Sequence, residues 1–217
     1  MKIGILGAGT MGSALAARFA KANHEVLLGA RDPGSKPPIP GVRYGSYGDA
    51  AVFGDMVFLA LVWPHALDVM GQLNCISDKV FVDVSNPEAP VGYELMIGHK
   101  TSGAEELARF AKGAHVLKAF SHFYAELLHC DVTFDGGSPS VLYCGDDLKA
   151  KELLRQLIES CGFDPVDAGG LANARYLEPL AMLTVQLVRV EGWGPTGIAW
   201  RLMRRCVNPG EQSANAD

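Results

Sequence analysis

The sequence predicts an α/β fold, doubly wound around a mostly parallel sheet, and three features carry that prediction. Apolar runs of strand length alternate with helix-period segments from the first residue, as βαβ units require. The turn Gly7-Ala8-Gly9-Thr10-Met11-Gly12 closes the first apolar run and opens the first helical pattern. The chain of 217 residues is long enough for one α/β domain with a modest annex and too short for a second full catalytic domain. The expected layout is therefore a single domain over residues 1–205, with a core at about 1–123 and a C-terminal α/β annex at about 124–205 that ends in helices. Residues 206–217 form a polar tail expected to fray.

Strands are expected at Lys2 to Leu6, Glu25 to Ala30, Met56 to Val62, Lys79 to Val84, Val116 to Phe120 and Ser140 to Cys144, with a seventh at Pro165 to Ala168. Thr10 to Ala22 repeats Met11, Ala14, Leu15 and Phe19 at helical spacing, so one face packs on the sheet. Four prolines between Asp32 and Gly41 fix φ and remove amide donors, which makes that stretch a rigid, non-helical loop. Leu171 to Val190 reads as a long helix bent near Pro179. Within it, Arg175 and Glu178 are spaced for an i,i+3 pair, and Leu177, Leu180, Leu183 and Leu187 form a core or dimer stripe. After Gly192-Trp193-Gly194-Pro195, which suits either a loop over a flat ligand or a plain connection, a last helix is expected over Thr196 to Arg205.

A net charge of −5 and a pI near 5.7 disfavour nucleic acid and anionic membrane as partners, since both call for a basic field. No apolar stretch reaches the length of a membrane span, and the N-terminal segment is too short and glycine-broken for a signal peptide, so a cytoplasmic protein is expected. The five cysteines are scattered without a C-x-x-C pair, which fits neither a zinc site nor a disulfide framework; reduced, mostly buried thiols are expected. No Ser-His-Asp set or metal-ligand cluster emerges. The apolar Leu171 to Val190 segment points to a homodimer.

A G-x-G-x-x-G between strand and helix is a dinucleotide fingerprint. Gly7 permits the tight turn, Gly9 lets backbone approach a pyrophosphate, Gly12 permits close helix packing, and the amides of Thr10 and Met11 face the phosphate. About 20 residues on, Gly29-Ala30-Arg31 stands where an NAD-binding protein has an acidic residue. Arg31 can hold a 2′-phosphate and stack on adenine, with Lys36 as a second cation, which favours NADP. Asp32 could instead serve a ribose, but Asp32-Pro33-Gly34 reads more simply as a turn.

The segments after later strands should frame the nicotinamide: Val62-Trp63-Pro64-His65, Asp83-Val84-Ser85-Asn86-Pro87 and Ser121-His122-Phe123-Tyr124. His65 and His122 are the acid-base candidates there, with His122 the candidate catalytic residue; either is as compatible with a structural role. Tyr124 could donate to a substrate oxygen, or belong to the core.

Together with Lys118-Ala119-Phe120 followed by Ala125, and with Ala172-Asn173-Ala174-Arg175-Tyr176-Leu177-Glu178-Pro179-Leu180-Ala181, these motifs resemble the NADPH-dependent F420 (deazaflavin) oxidoreductase family over nearly the whole chain. The middle is also similar to the cytosolic oxidoreductase domain of six-transmembrane metalloreductases. The resemblance implies hydride transfer between NADP(H) and a deazaflavin (F420) or flavin-type acceptor stacked on the nicotinamide, with no obligatory catalytic side chain. It further implies that Arg31 and Lys36 hold the 2′-phosphate, that Leu61, Val62 and Asn86 line the cofactor, and that Ala125 offers a backbone contact to the carboxamide. Where relatives carry Asn or His and then Thr after Lys-Ala-Phe, this chain has the bulkier Ser121-His122-Phe123-Tyr124. The remaining readings are reduction of a small imine or carbonyl substrate, with His122 or Tyr124 as proton donor, and a non-catalytic NADP sensor.

Overall fold

A computed structural model describes residues 1–73, 76–90, 93–129 and 134–204. Its eight strands are β1 (Lys2–Leu6), β2 (Glu25–Gly29), β3 (Val42–Gly45), β4 (Met56–Leu59), β5 (Val80–Asp83), β6 (His115–Lys118), β7 (Ser140–Gly145) and β8 (Asp164–Asp167). The helices are α1 (Thr10–Lys21), α2 (Tyr47–Phe53), α3 (His65–Gln72), α4 (Gly103–Phe110), α5 (Ala125–His129), α6 (Leu148–Ser160) and α7 (Ala174–Arg189). One sheet runs in the order β3-β2-β1-β4-β5-β6-β7-β8, parallel throughout except where β7 meets β6. That reversal joins the annex unit β7-α6-β8 to the sheet and turns its strand ends away from the glycine turn.

Both faces are covered, which is why the central strands read as unbroken apolar runs. On one side Ile3, Ile5, Leu28, Phe58 and Val82 pack under α1 and α6 through Leu15, Phe19, Leu154 and Ile158. On the other, Val57, Leu59 and Phe81 pack under α2, α3 and α4 through Ala50, Val69 and Leu107, and Leu177 of α7 joins them. Phe120 lies at the centre of the first layer, its ring 5.9–6.2 Å from those of Phe19, Phe58, Phe123 and Phe163.

Several expected boundaries move for local reasons. The strand expected over Val116 to Phe120 ends at Lys118, because Phe120 adopts φ +59°, a conformation that cannot continue a strand. The strand expected over Met56 to Val62 is shorter: β4 ends at Leu59, with one more bond from Ala60 N to the Leu6 carbonyl at 2.9 Å. The edge strand β3 was not expected, and the helices α2 to α6 were not delimited by the sequence reading; α2 opens with a capping box that joins Ser46 to Asp49. The proline-rich stretch forms a single 3₁₀ turn at Pro33–Ser35.

The expected last helix over Thr196 to Arg205 is not formed in residues 196–204. This segment is instead a strap held by tertiary bonds: Ser140 N donates to the Trp200 carbonyl at 2.8 Å, Leu202 N donates to Ser140 Oγ at 3.0 Å, and Trp200 Nε1 donates to Thr184 Oγ1 at 2.7 Å. The expected Arg175–Glu178 pair is not made either, because both side chains have partners elsewhere. The leucine stripe divides, with Leu177 buried and Leu183 exposed. Cys144 and Cys161 are free and buried, while Cys75, Cys130 and Cys206 lie outside the described residues. Among the described residues no helix is long and apolar enough to cross a membrane.

Candidate functional site

The glycine turn is built by three different constraints. Gly7 has φ +116°, and a Cβ there would stand 2.3 Å from the Ala60 carbonyl oxygen. At Gly12 a Cβ would stand 1.8 Å from the Gly7 carbonyl oxygen, so the first turn of α1 can sit this close only with glycine. A Cβ at Gly9 would meet nothing within 4 Å, so here the missing side chain leaves backbone open to a ligand. Gly9 caps α1 without a side-chain hydrogen bond, and no acidic residue lies in the first turn, so the first-turn amides and the positive end of the helix dipole remain available to an anion.

In front of this turn lies a cleft of about 740 Å³, lined by Gly7, Ala8, Gly9, Ala30, Arg31, Asp32, Ser35, Lys36, Tyr47, Ala60, Leu61, Val62 and His65. Residues singled out from the sequence as cofactor or acid-base candidates therefore share one surface: Gly7, Gly9, Arg31, Asp32, Lys36, Leu61, Val62 and His65. Arg31 and Lys36 are exposed at the β2 end, and Ser35 Oγ closes the turn between them by donating to the Asp32 carbonyl at 3.0 Å. Val62 is 77% exposed, a large apolar group held open on the cleft wall. Thr10, Met11 and Gly12 lie behind the turn on α1. Asn86 and Ala125 belong to the segments after β5 and β6 and are not among the lining residues. Tyr47 was missed by the sequence reading; the signal for it was Ser46-Tyr47-Gly48-Asp49, a capping-box pattern that opens a helix there.

Beyond the cleft, the tips of β5 and β6 are fixed by a buried ion network. Lys118 is fully buried and its Nζ donates to Asp83 Oδ2 at 2.8 Å, to Glu178 Oε1 at 3.0 Å and to the Ser85 carbonyl. Asp83 Oδ1 accepts from Ser85 N at 2.9 Å and Ser85 Oγ at 2.7 Å. Glu178 accepts from Gly103 N at 3.0 Å and Ala104 N at 3.2 Å, so its charge also meets the N-terminus of α4. Burial alone would lower the Lys118 pKa, but the two carboxylates outweigh it and raise it above the usual lysine value. The neighbouring Arg175 grips Glu105 through two bonds of 2.9 and 2.6 Å. Three of the sequence motifs thus meet at one place and hold the segment that carries Asn86.

His122 lies in the core, 4% exposed and edge-on to Phe123. Its Nε2 is 3.1 Å from the Ser140 carbonyl oxygen, and burial lowers its pKa to about 4. It is not among the cleft-lining residues. Tyr124 is half-buried beneath the Arg189 guanidinium, which stands 5.4 Å from its ring centre.

Residues 2–87 match the family model described as NADP oxidoreductase, coenzyme F420-dependent. The F420-dependent NADP reductase of Methanothermobacter thermautotrophicus is 31% identical over 212 residues, an alignment spanning 86% of this chain and 89% of the relative. The chain belongs to the F420-dependent NADP oxidoreductase family. Metalloreductase STEAP3 of Rattus norvegicus is 32% identical over 84% of this chain, which spans only 37% of that relative's length. Among solved structures, a protein from Arthrobacter sp. FB24, provisionally assigned as an F420-dependent NADP-reductase, superposes with a TM-score of 0.84 at 28% identity, covering 94% of this chain and all of its own. A reductive aminase from Aspergillus terreus, at 17% identity and a TM-score of 0.65, shares the fold. For the F420-dependent family, the cleft, the cations at its β2 end and the ion network behind Asn86 are the features to interpret.

Proposed function

We propose that the protein transfers a hydride between NADP(H) and a deazaflavin (F420) or flavin-type acceptor. The observation that carries this reading is the meeting of Arg31 and Lys36 with the open glycine turn in one cleft, in a member of this family. The residues present fit the nucleotide. The first-turn amides of α1, from Thr10 and Met11, would take its pyrophosphate. Arg31 would hold the 2′-phosphate through its planar fork, and Lys36 would add a second charge. Leu61 and the exposed Val62 give the inner half an apolar wall, while Asn86 and Ala125 stand toward the nicotinamide end. When bound, the nicotinamide supplies the hydride. The contribution of the chain is to align two flat rings and keep water from between them, which needs position more than an acid or base.

The burial of His122 argues against it as the acid, whereas His65, the other histidine candidate, lines the cleft. His122 is neutral and enclosed, with Nε2 engaged by the Ser140 carbonyl, and the described residues hold no cluster of His, Cys, Asp and Glu fit for a metal. Reduction of an imine or carbonyl would place the proton on Tyr124, the half-buried phenol at the tip of the β6 segment. The proposal extends to a homodimer acting in the cytoplasm. Tyr176 and Leu183, exposed on α7, and the exposed Val190 that caps its end support such a partner surface.

Stopped-flow oxidation of NADPH against F420, FMN, FAD and riboflavin tests the acceptor. Fast turnover with one of these rings, lost at low NADPH in Arg31→Ala, is the expected result. Tight NADPH binding with transfer to none of them would leave the imine reductase or the sensor.

A further inference from the structure

The register of the sheet carries the annex beyond the strand ends. Lys118, the last residue of β6, stands opposite Cys144, so residues 140–143 of β7 run on past the tip of β6. Residues 119–124 continue beside them, and His122 Nε2 stands 3.1 Å from the Ser140 carbonyl oxygen there. α7 brings its last residue to the same place. The Arg189 guanidinium lies 5.4 Å from the ring centre of Tyr124, at the end of that segment. Glu88 and Tyr93, from the segment after β5, are near enough to act on the same phenol electrostatically.

Arg189 is exposed, and no ion pair among the described residues uses it. Lys118, by contrast, is enclosed by Asp83 and Glu178, and Arg175 is held by Glu105. An arginine laid over an exposed ring gains about 0.5–1 kcal/mol, so the fold does not depend on it.

A cation at this end has a use in hydride transfer. A nucleotide with its 2′-phosphate at Arg31 passes β1 and β4 and brings its nicotinamide to the tips of β5 and β6. An acceptor ring stacked on that nicotinamide lies above the strand ends, where Tyr124 and Arg189 stand. The transfer breaks a C–H bond of NADPH, leaves NADP+, and forms an N–H or C–H bond at the centre of the acceptor ring. Both electrons of the broken bond travel with the hydrogen, so the ring gains one negative charge, spread over its pyrimidine carbonyls until water protonates it. We propose that Arg189 is a catalytic residue whose guanidinium donates to a pyrimidine carbonyl of the acceptor and stabilises the charge that arrives with the hydride. Tyr124 is the platform on which the guanidinium rests. The proposal rests on the hydride-transfer reading above and adds no acid to it, because an arginine keeps its proton.

The test uses riboflavin and the phosphate-free deazaflavin core of F420, which carry the flat ring without a phosphate that an arginine would otherwise bind. FMN, which carries one, is run beside them. Full-length wild type, Arg189→Met and Arg189→Lys are compared by single-turnover stopped flow with NADPH, and by anaerobic titration with each ring in its oxidised and its reduced form. In Arg189→Met the Kd of the reduced ring should rise about tenfold while that of the oxidised ring stays about the same, and hydride transfer should slow about tenfold, one hydrogen bond to a charged group. Arg189→Lys, which keeps the charge and loses the fork, should recover part of both. NADPH affinity and melting temperature should match wild type in both variants. Equal weakening of the oxidised and reduced rings, or a defect with FMN that the phosphate-free rings do not share, overturns the proposal. Wild type that reduces one of these rings, with Arg189→Met indistinguishable from it, sinks the role of Arg189 alone; wild type that reduces none of them, F420 included, sinks the hydride-transfer reading with it.

Discussion

His122 illustrates how burial decides what a titratable residue can do. Its pKa falls from 6.5 to about 4, because the charged ring would lose its hydration among Phe123 and its neighbours, and the Ser140 carbonyl only partly offsets that loss. With the folded value depressed, the unfolded chain takes up the proton first as pH falls. His122 therefore contributes stability that is fully present above pH 6.5 and is lost as pH drops toward 4. Urea unfolding at pH 7 and pH 4.5 should show a fall on the order of 2–3 kcal/mol that His122→Gln abolishes. Equal pH slopes in the two proteins would contradict the burial argument. At the cleft, Arg31 and Lys36 are both exposed, so salt should screen their hold on a phosphate. NADPH affinity in wild type should weaken between 50 and 500 mM KCl, whereas Arg31→Ala should show a flatter dependence by titration fluorescence.

At the scale of elements, α2 is a seven-residue helix too short to form on propensity alone. It is started by a reciprocal cap in which Ser46 Oγ accepts from Asp49 N at 3.1 Å and Asp49 Oδ2 accepts from Ser46 N at 2.9 Å. Packing of Ala50 and Ala51 against the sheet does the rest. Ser46→Ala should cost about 1 kcal/mol in urea unfolding with an unchanged m value, and a loss below 0.3 kcal/mol would mean that packing alone sets this helix. The same element presents Tyr47 to the cleft, so α2 belongs to the site as well as to the fold. It went unread because β3 and α2 are short and follow a proline-rich stretch, where neither period repeats often enough to register.

Across the whole molecule, the Asp83–Lys118–Glu178 network joins β5, β6, α4 and α7 at one buried point. Two carboxylates and one ammonium leave a net negative charge, which is met by Ser85 and by the amides that open α4. Lys118→Met strands both carboxylates without a cation and should cost about 3–5 kcal/mol, measured by denaturant unfolding. A cost below 1 kcal/mol would show that the backbone donors suffice without the lysine.

The sequence by itself determined the doubly wound sheet, the glycine turn, the cations after β2 and the segments that follow β4, β5 and β6. These are legible because they rest on local rules: a two- or 3.6-residue period, the conformations open only to glycine, and the position of ligands at strand ends. The tertiary structure alone decided which side chains pair. Arg175 and Glu178 have the spacing of partners on one helix turn, yet Glu178 turns into the core to meet Lys118, because a buried charge gains more from a desolvated opposite charge than a surface pair gains in water, and Arg175 is left to grip Glu105 of α4. It also made residues 196–204 a strap and not a helix, since Ser140 and Thr184 offer those residues hydrogen bonds that no local pattern announces.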